Sequence, residues 1–242
     1  SVIGAEGTNA YTSTDMTVYV EDIPSNQIEN WARIEADRFM HPVIRGFHTE
    51  LETVYEEKNM SLTNDFRKSL EAMDGILFAD HPYGTQTVLG TQEHLKNPSV
   101  TNIKNYHKTY YVPNNMAICL SGDFDPDEML SIIEKYFGQM EPNTELPEVD
   151  FETKTVIESP VSKEVYGLDA ENIMIGWKYP GAGTQEALVA DVVSYILSNG
   201  SAGLIDLNLN QQQKVLGAQS MSYTRPDAGE FLIMANPKQG QT

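Results

Sequence analysis

The chain has 242 residues, 40% of them hydrophobic, enough to bury one large core or two small ones. Its formal charge is -19, from 35 acidic against 16 basic residues, so a nucleic acid would be repelled rather than steered and is excluded as a partner. No apolar run approaches the ~18 to 20 residues that a membrane helix needs, so no membrane span is expected.

The chain opens with "NAYTSTDMTVYVEDI", in which β-branched and aromatic residues alternate with polar ones around Ser13 to Asp15; this pattern predicts a hairpin. In "PSNQIENWARIEADRFMHP", Ser25 is expected to cap a helix whose apolar face is Ile28, Trp31, Ala32, Ile34 and Phe39, and Pro42 ends it. "FHTELETVYEEKNM" is the next helix and "DFRKSLEAMDGILFA" a third, followed by the turn-rich loop "DHPYGTQTVLG". "SVTNIKNYHKTYYVP" reads as a helix capped by Ser99 and stopped by Pro113. The apolar run "NMAICLSGDF" is expected to be a buried strand with Cys119, the single cysteine, as a small core residue. "DPDEMLSIIEKYFGQM" is an amphipathic helix capped by Asp125.

The proline-bearing acidic run that starts at Glu141 reads as a linker. After it, "ENIMIGWKYPG" is a strand, "TQEALVADVVSYILSNG" a buried helix ending at Gly200, "LIDLNLNQQQKVLG" a short helix, and "AQSMSYTRPDAGEFLIMA" a second hairpin turning at Pro226 to Gly229. The order of elements after the linker partly repeats the order before it, which is the expectation for a duplicated unit. The predicted fold class is α+β, in two-layer units, each a mostly antiparallel sheet with helices on one face.

The second helix concentrates the chemistry. At about 100° per residue, Phe47, Leu51, Val54, Tyr55 and Leu62 share an apolar face, while Glu52 and Glu56 point away from it. Glu50 and Glu57 fall within about 20° of each other at the edge of that face, two turns apart. A carboxylate at such an edge can be oriented by packing and still reach a ligand. Taken alone, an acidic helix is ordinarily just a solvated face.

Read in order, "NAYTSTDMTVY", the helix with "ADRFMHP", the pair Glu50 and Glu57 with Val54 between them, "DHPYGTQTVLG" and "YYVPNNMAICLSGDFDPDEM" resemble the pitrilysin/insulinase family of zinc peptidases, which includes mitochondrial processing peptidase. The resemblance runs from about Gly4 to Phe137 and continues more loosely beyond. It implies a processing-peptidase-like metallohydrolase fold, duplicated, with residues 1–140 as the second half of a first peptidase unit, 141–150 as a linker and 151–242 as the start of a second unit that binds no metal.

The resemblance also assigns residues. In the family, an inverted zinc motif, His-x-x-Glu-His, supplies two histidine ligands and the general base, and a glutamate on a later helix is the third ligand. Glu57 matches that third ligand. Glu50 matches the acidic residue one heptad earlier that supports the site. Asn9, Ala10 and Tyr11 match the edge strand to which a peptide substrate adds through backbone hydrogen bonds. The implied reaction is hydrolysis of peptides or unfolded polypeptides by zinc-activated water, since a catalytic zinc keeps an open position and lowers the pKa of its water.

The sequence departs from the family pattern in its histidines. None of His41, His48, His81, His94 and His107 opens a His-x-x-Glu-His. The family places that motif upstream of the first hairpin, so the expectation is an internal piece of a longer protease, holding zinc weakly or not at all by itself and partnered by a second peptidase half or a further copy of itself. The helix and hairpin after residue 151 offer nothing to match the family's oxyanion-stabilising arginine and tyrosine, as "NQQQKVLGAQ" stands at the comparable place. The other function that fits is a non-catalytic subunit of the same family, binding peptide or serving as scaffold.

Overall fold

The computed structural model describes residues 3–148, 151, 153 and 156–241. Two compact units emerge, both discontinuous in sequence: residues 1–54 with 92–149, and residues 55–91 with 150–242. This division follows compactness and not repeat order. The last two residues of the expected linker, 149 and 150, lie outside the described residues.

In the first unit, β1 (Glu6–Thr12) and β2 (Thr17–Asp22) form the antiparallel hairpin that the alternation predicts, with Tyr11 opposite Val18 and Thr12 opposite Thr17. Helix α1 (Ile28–Met40) follows. Ser25 does not cap it: Ser25 lies in a 3-10 turn, Ser25–Gln27, and the residue before the helix is Gln27. The proline at position 24 sets an extended approach and the tight turn then leads directly into the helix, so no side chain is needed to start it.

Ala32 and Ala36 let α1 approach α7 (Pro126–Tyr136) closely, and Phe137, Trp31, Phe39, Ile132, Ile133 and Tyr136 close the core around them. Glu29 ties the same two helices at their surface, accepting from Lys135 Nζ at 2.6 Å and from Tyr136 Oη at 3.0 Å. The Asp125 side chain caps α7 by accepting from the Asp127 and Glu128 backbone N–H groups, and Ser99 caps α6 (Val100–Tyr110) by accepting from Asn102 N–H. A short helix, α5 (Gln92–Lys96), precedes α6.

The segment expected as a buried strand, 115–124, forms no ladder with either sheet. It runs extended from Met116, but Ile118 and Cys119 are exposed, so Cys119 is not a core residue. An apolar run identifies a chain that could be a strand; only a neighbouring strand makes it one, by taking up its backbone groups.

Helix α2 (Phe47–Ser61) carries the division between the units. Its apolar face is as predicted at Phe47, Leu51, Val54 and Tyr55, all half-buried. Leu62 does not continue it: the helix ends at Ser61, and the buried residues of that last turn are Ser61 and Lys58, whose Nζ lies 3.9 Å from Glu71. Lysine reaches that place because its aliphatic stem can pack while its ammonium finds a carboxylate.

The second unit is built on a three-stranded antiparallel sheet in the order β3 (Ile173–Pro180), β5 (Ala228–Asn236), β4 (Gly217–Thr224). Leu77 and Phe78, at the end of α3 (Asp65–Leu77), pack with Met73, Tyr83 and Ala228 into its core. The expected loop after α3 contains one helical turn, α4 (Pro82–Thr85), capped by His81. The last expected helix is one wide turn at Asp206–Asn210, closed by Gln211 N–H donating to the Asp206 carbonyl. The Asp206 carboxylate collects the N–H groups of Asn199, Gly200 and Gly203, and these hold its pKa below the usual aspartate range.

Helix α8 (Gln185–Leu197) packs Ala187 and Ala190 inward, yet it is not the buried helix its composition predicts. Leu188 is 68% exposed, Val192 58% and Tyr195 70%, so an apolar stripe at helical spacing faces away from the sheet. Composition reports that a helix is apolar all round; it does not report on how many sides it is covered.

Candidate functional site

The proposed substrate strand, β1, is exposed along its whole length. It pairs on one side only, with β2, so among the described residues its other edge is free. Within it, Asn9 stands opposite Val20, Ala10 opposite Tyr19 and Tyr11 opposite Val18. The edge is partly occupied by the strand itself: Asn9 Oδ1 accepts from the Ala10 backbone N–H at 2.9 Å. Tyr11 is 55% exposed, free to lie along an added chain.

The partner strand β2 is held by aromatic packing at Tyr19. Tyr19 meets the edge of Phe39 with ring centres 5.3 Å apart, and its hydroxyl lies 3.2 Å from that of Tyr111. Burial, followed by this hydroxyl pair, pushes the Tyr19 phenol up to about 12. Arg38 lies over both the Tyr19 and Phe39 rings and binds the buried Glu35 one turn earlier. His107 stacks on Tyr111 at 4.5 Å, and burial lowers its pKa.

Glu50 and Glu57 both lie on α2, the first in its first turn, and both carboxylates are exposed. His48, between Phe47 and Glu50, turns edge-on to the Phe47 ring. His41, after the last residue of α1, pairs with Asp37 at 2.9 Å. His81 is buried and spent on structure: its Nδ1 accepts the Tyr83 N–H at 3.1 Å and its Nε2 lies 3.3 Å from Asp227.

A catalytic zinc site needs three protein ligands. Among the described residues no group of three histidine, cysteine, aspartate or glutamate side chains stands together in a way that could hold a metal. The donor set among the described residues therefore does not make up a zinc site by itself. The apolar pocket lined by Gln185, Glu186, Val189, Ala190, Val193 and Phe231, about 360 Å³ in volume, contains none of the residues singled out in the sequence.

Sequence reasoning missed one cluster altogether. Arg225, Asp74 and Glu230 meet in the second unit with their side chains largely buried. The only signal in the sequence is Glu230 directly before the apolar run "FLIMA", a charge near the head of a core strand.

The comparisons with known proteins bear on these elements together. A family model described as "Peptidase M16 inactive domain" matches residues 99–241, more than half of the chain. The chain is 28% identical over 140 residues to a probable mitochondrial-processing peptidase subunit beta of Schizosaccharomyces pombe, covering 57% of this chain and 30% of that protein. It is 22% identical over 241 residues to the zinc protease PqqE of Helicobacter pylori, covering 94% of this chain and 52% of that protein. Among solved structures, a protease from Helicobacter pylori superposes with a TM-score of 0.83 at 20% identity, over 99% of this chain and 59% of that one. The chain thus spans about half or less of the length of these curated relatives.

Proposed function

Because the chain belongs to the peptidase M16 family, whose curated relatives include zinc proteases, we propose that it is part of a zinc metalloendopeptidase acting on peptides or unfolded polypeptides. In this reading Glu57 is the third zinc ligand, Glu50 the carboxylate that supports the site, and Asn9, Ala10 and Tyr11 the edge to which substrate adds. The histidine ligands and the general base come from elsewhere in the protein. Residues 1–140 are the second half of a first peptidase unit, 141–150 a linker and 151–242 the start of a second unit. A second peptidase half or another copy of the chain would complete the enclosure around substrate.

The observation that carries the reading is the free edge of β1, exposed along its length and bordered by a single partner strand. Substrate added there is recognised through its backbone, which suits an enzyme that takes extended peptides with little demand on their side chains. An incoming strand competes with Asn9 for the Ala10 N–H.

A second reading has its own support. The matching family model describes an inactive domain, and the described residues hold no complete ligand set. In that reading the chain belongs to a non-catalytic subunit that binds peptide or serves as scaffold.

One experiment separates the two: zinc content and cleavage of an unstructured peptide by the complete gene product, beside its Glu57→Gln variant. About one zinc per chain and peptide cleavage, both lost in the variant, support the protease. A complete product that binds no zinc and cleaves nothing sinks that reading and leaves the binding subunit.

A further inference from the structure

Two acids and one base are buried together in the second unit. The Arg225 Nη2 is 3.1 Å from Asp74 Oδ1 and 3.6 Å from Glu230 Oε1. Arg225 is 4% exposed and Glu230 is 1% exposed, while the Asp74 side chain is 17% exposed. The guanidinium is held from its faces as well, 4.2 Å from the Tyr83 ring centre and 4.6 Å from that of Phe78, with Tyr223 at 5.3 Å.

The charges do not balance. Asp74 comes from α3, Arg225 from the turn between β4 and β5, and Glu230 from β5, so one guanidinium faces two carboxylates. Among the described residues no cation other than Arg225 pairs with either acid. Lys178 stands directly across β3 from Glu230, but its Nζ donates to Thr153 Oγ1 at 2.8 Å. Tyr223 stands across β4 from Glu230 with its ring by the guanidinium, and Tyr179 on β3 shares a hydrogen bond with Thr224. Glu71 on α3 adds negative potential at Asp74, and Asp191 on α8 accepts from Ser222 Oγ. His81, beside α4, faces Asp227. The same Arg225 nitrogen stands between an oxygen of Asp74 and an oxygen of Glu230, and two carboxyls gathered around one cation out of water repel each other unless one of them carries a proton.

We propose that Asp74 and Glu230 share one proton beside the Arg225 guanidinium, and that this proton is a pH-sensitive latch holding α3 and α4 on the β4–β5 hairpin. With the proton in place the buried cluster is neutral and each acid has a partner. Without it, an unpaired negative charge is left in a largely buried site, and the contact between α3 and the hairpin loosens.

Burial, then the Asp74 charge, pushes Glu230 up to about 7, and burial raises Asp74 as well. A carboxyl whose pKa is higher folded than unfolded contributes stability below its unfolded value. That contribution is lost as pH rises through the folded value. The latch is therefore closed in mild acid and released above neutrality.

The test uses the full chain. Its urea midpoint is expected to fall between about pH 5.5 and about pH 8.5, and Glu230→Gln, which mimics the protonated acid, is expected to flatten that fall. Parallel profiles for the two proteins overturn the proposal. Infrared spectroscopy on the unsubstituted chain needs no variant to fold. At about pH 6, where exposed carboxyls are ionised, a protonated-carboxyl carbonyl band is expected that disappears on titration to alkaline pH. A spectrum without that band overturns the shared proton. Amide exchange reads the latch itself: corrected for intrinsic rates, protection of α3 and α4 is expected to fall with pH while that of α7 does not, and a uniform change across the three overturns the latch.

Discussion

Gly84 packs so closely on the carbonyl oxygen of Phe78 that a β-carbon at position 84 would stand 2.4 Å from it, and equally close to the carbonyl oxygen of Asp74. The clash is with backbone atoms, which no rotamer change can move aside. The glycine of "HPYG" is thus required by close approach. Gly84→Ala is expected to destabilise the second unit by about 1–3 kcal/mol, the usual range for an overpacked core. Urea denaturation checks this, and an unchanged midpoint would refute it.

Arg225 serves two acids and lies against the rings of Tyr83 and Phe78. Arg225→Ala leaves both acids without their cation and is expected to cost about 3–5 kcal/mol. Arg225→Lys should recover only part of that loss, because an ammonium keeps the charge but cannot stack as a planar guanidinium does. Chemical denaturation of the two variants side by side is the measurement; equal stability of Arg225→Lys and the parent chain would count against the stacking argument.

The raised pKa of Tyr19 gives a prediction at alkaline pH. Burial and the Tyr111 hydroxyl favour the neutral phenol in the fold, so its contribution to stability is complete below the ordinary value of 10.0 and is lost as pH rises through about 12. Ultraviolet titration is expected to show one tyrosine ionising near that value, and Tyr19→Phe to remove it. If the late component survives in Tyr19→Phe, the assignment is wrong.

Zinc titrated into the 242-residue chain by calorimetry is expected to show no stoichiometric site, because Glu57 is exposed and no three-ligand group accompanies it among the described residues. A one-to-one site in this chain that is lost in Glu57→Gln would mean that ligands from outside the described groups assemble around that carboxylate.

The elements legible in the sequence were those specified by local chemistry. Asp125 and Ser99 cap their helices as read, because a cap is decided by one side chain and the next turn of backbone. The two hairpins follow from alternation and a turn. Family membership was legible as well, since it rests on the order of short motifs along the chain. Within the candidate site, the sequence placed Glu50 and Glu57 on one helix and Asn9, Ala10 and Tyr11 on one strand, because both are matters of local periodicity. What those carboxylates would bind was not a local matter, as a ligand set is gathered from separate elements.

The segment around Cys119 and the helix α8 mark the limit. Both were read as buried from their apolar content, and Cys119 and the outer stripe of α8 are exposed. Hydrophobicity states a preference for burial, and only the arrangement of neighbours decides whether it is met. The same is true in the opposite sense of Glu230, Arg225 and Asp74. Their side chains are charged, 151 residues separate Asp74 from Arg225, and nothing in either local sequence announces the other. The sequence by itself determined the longer helices, the hairpins and the family. Tertiary structure alone decided which polar groups are driven together out of water, because the energy of a buried charge depends on partners that the linear order does not bring near.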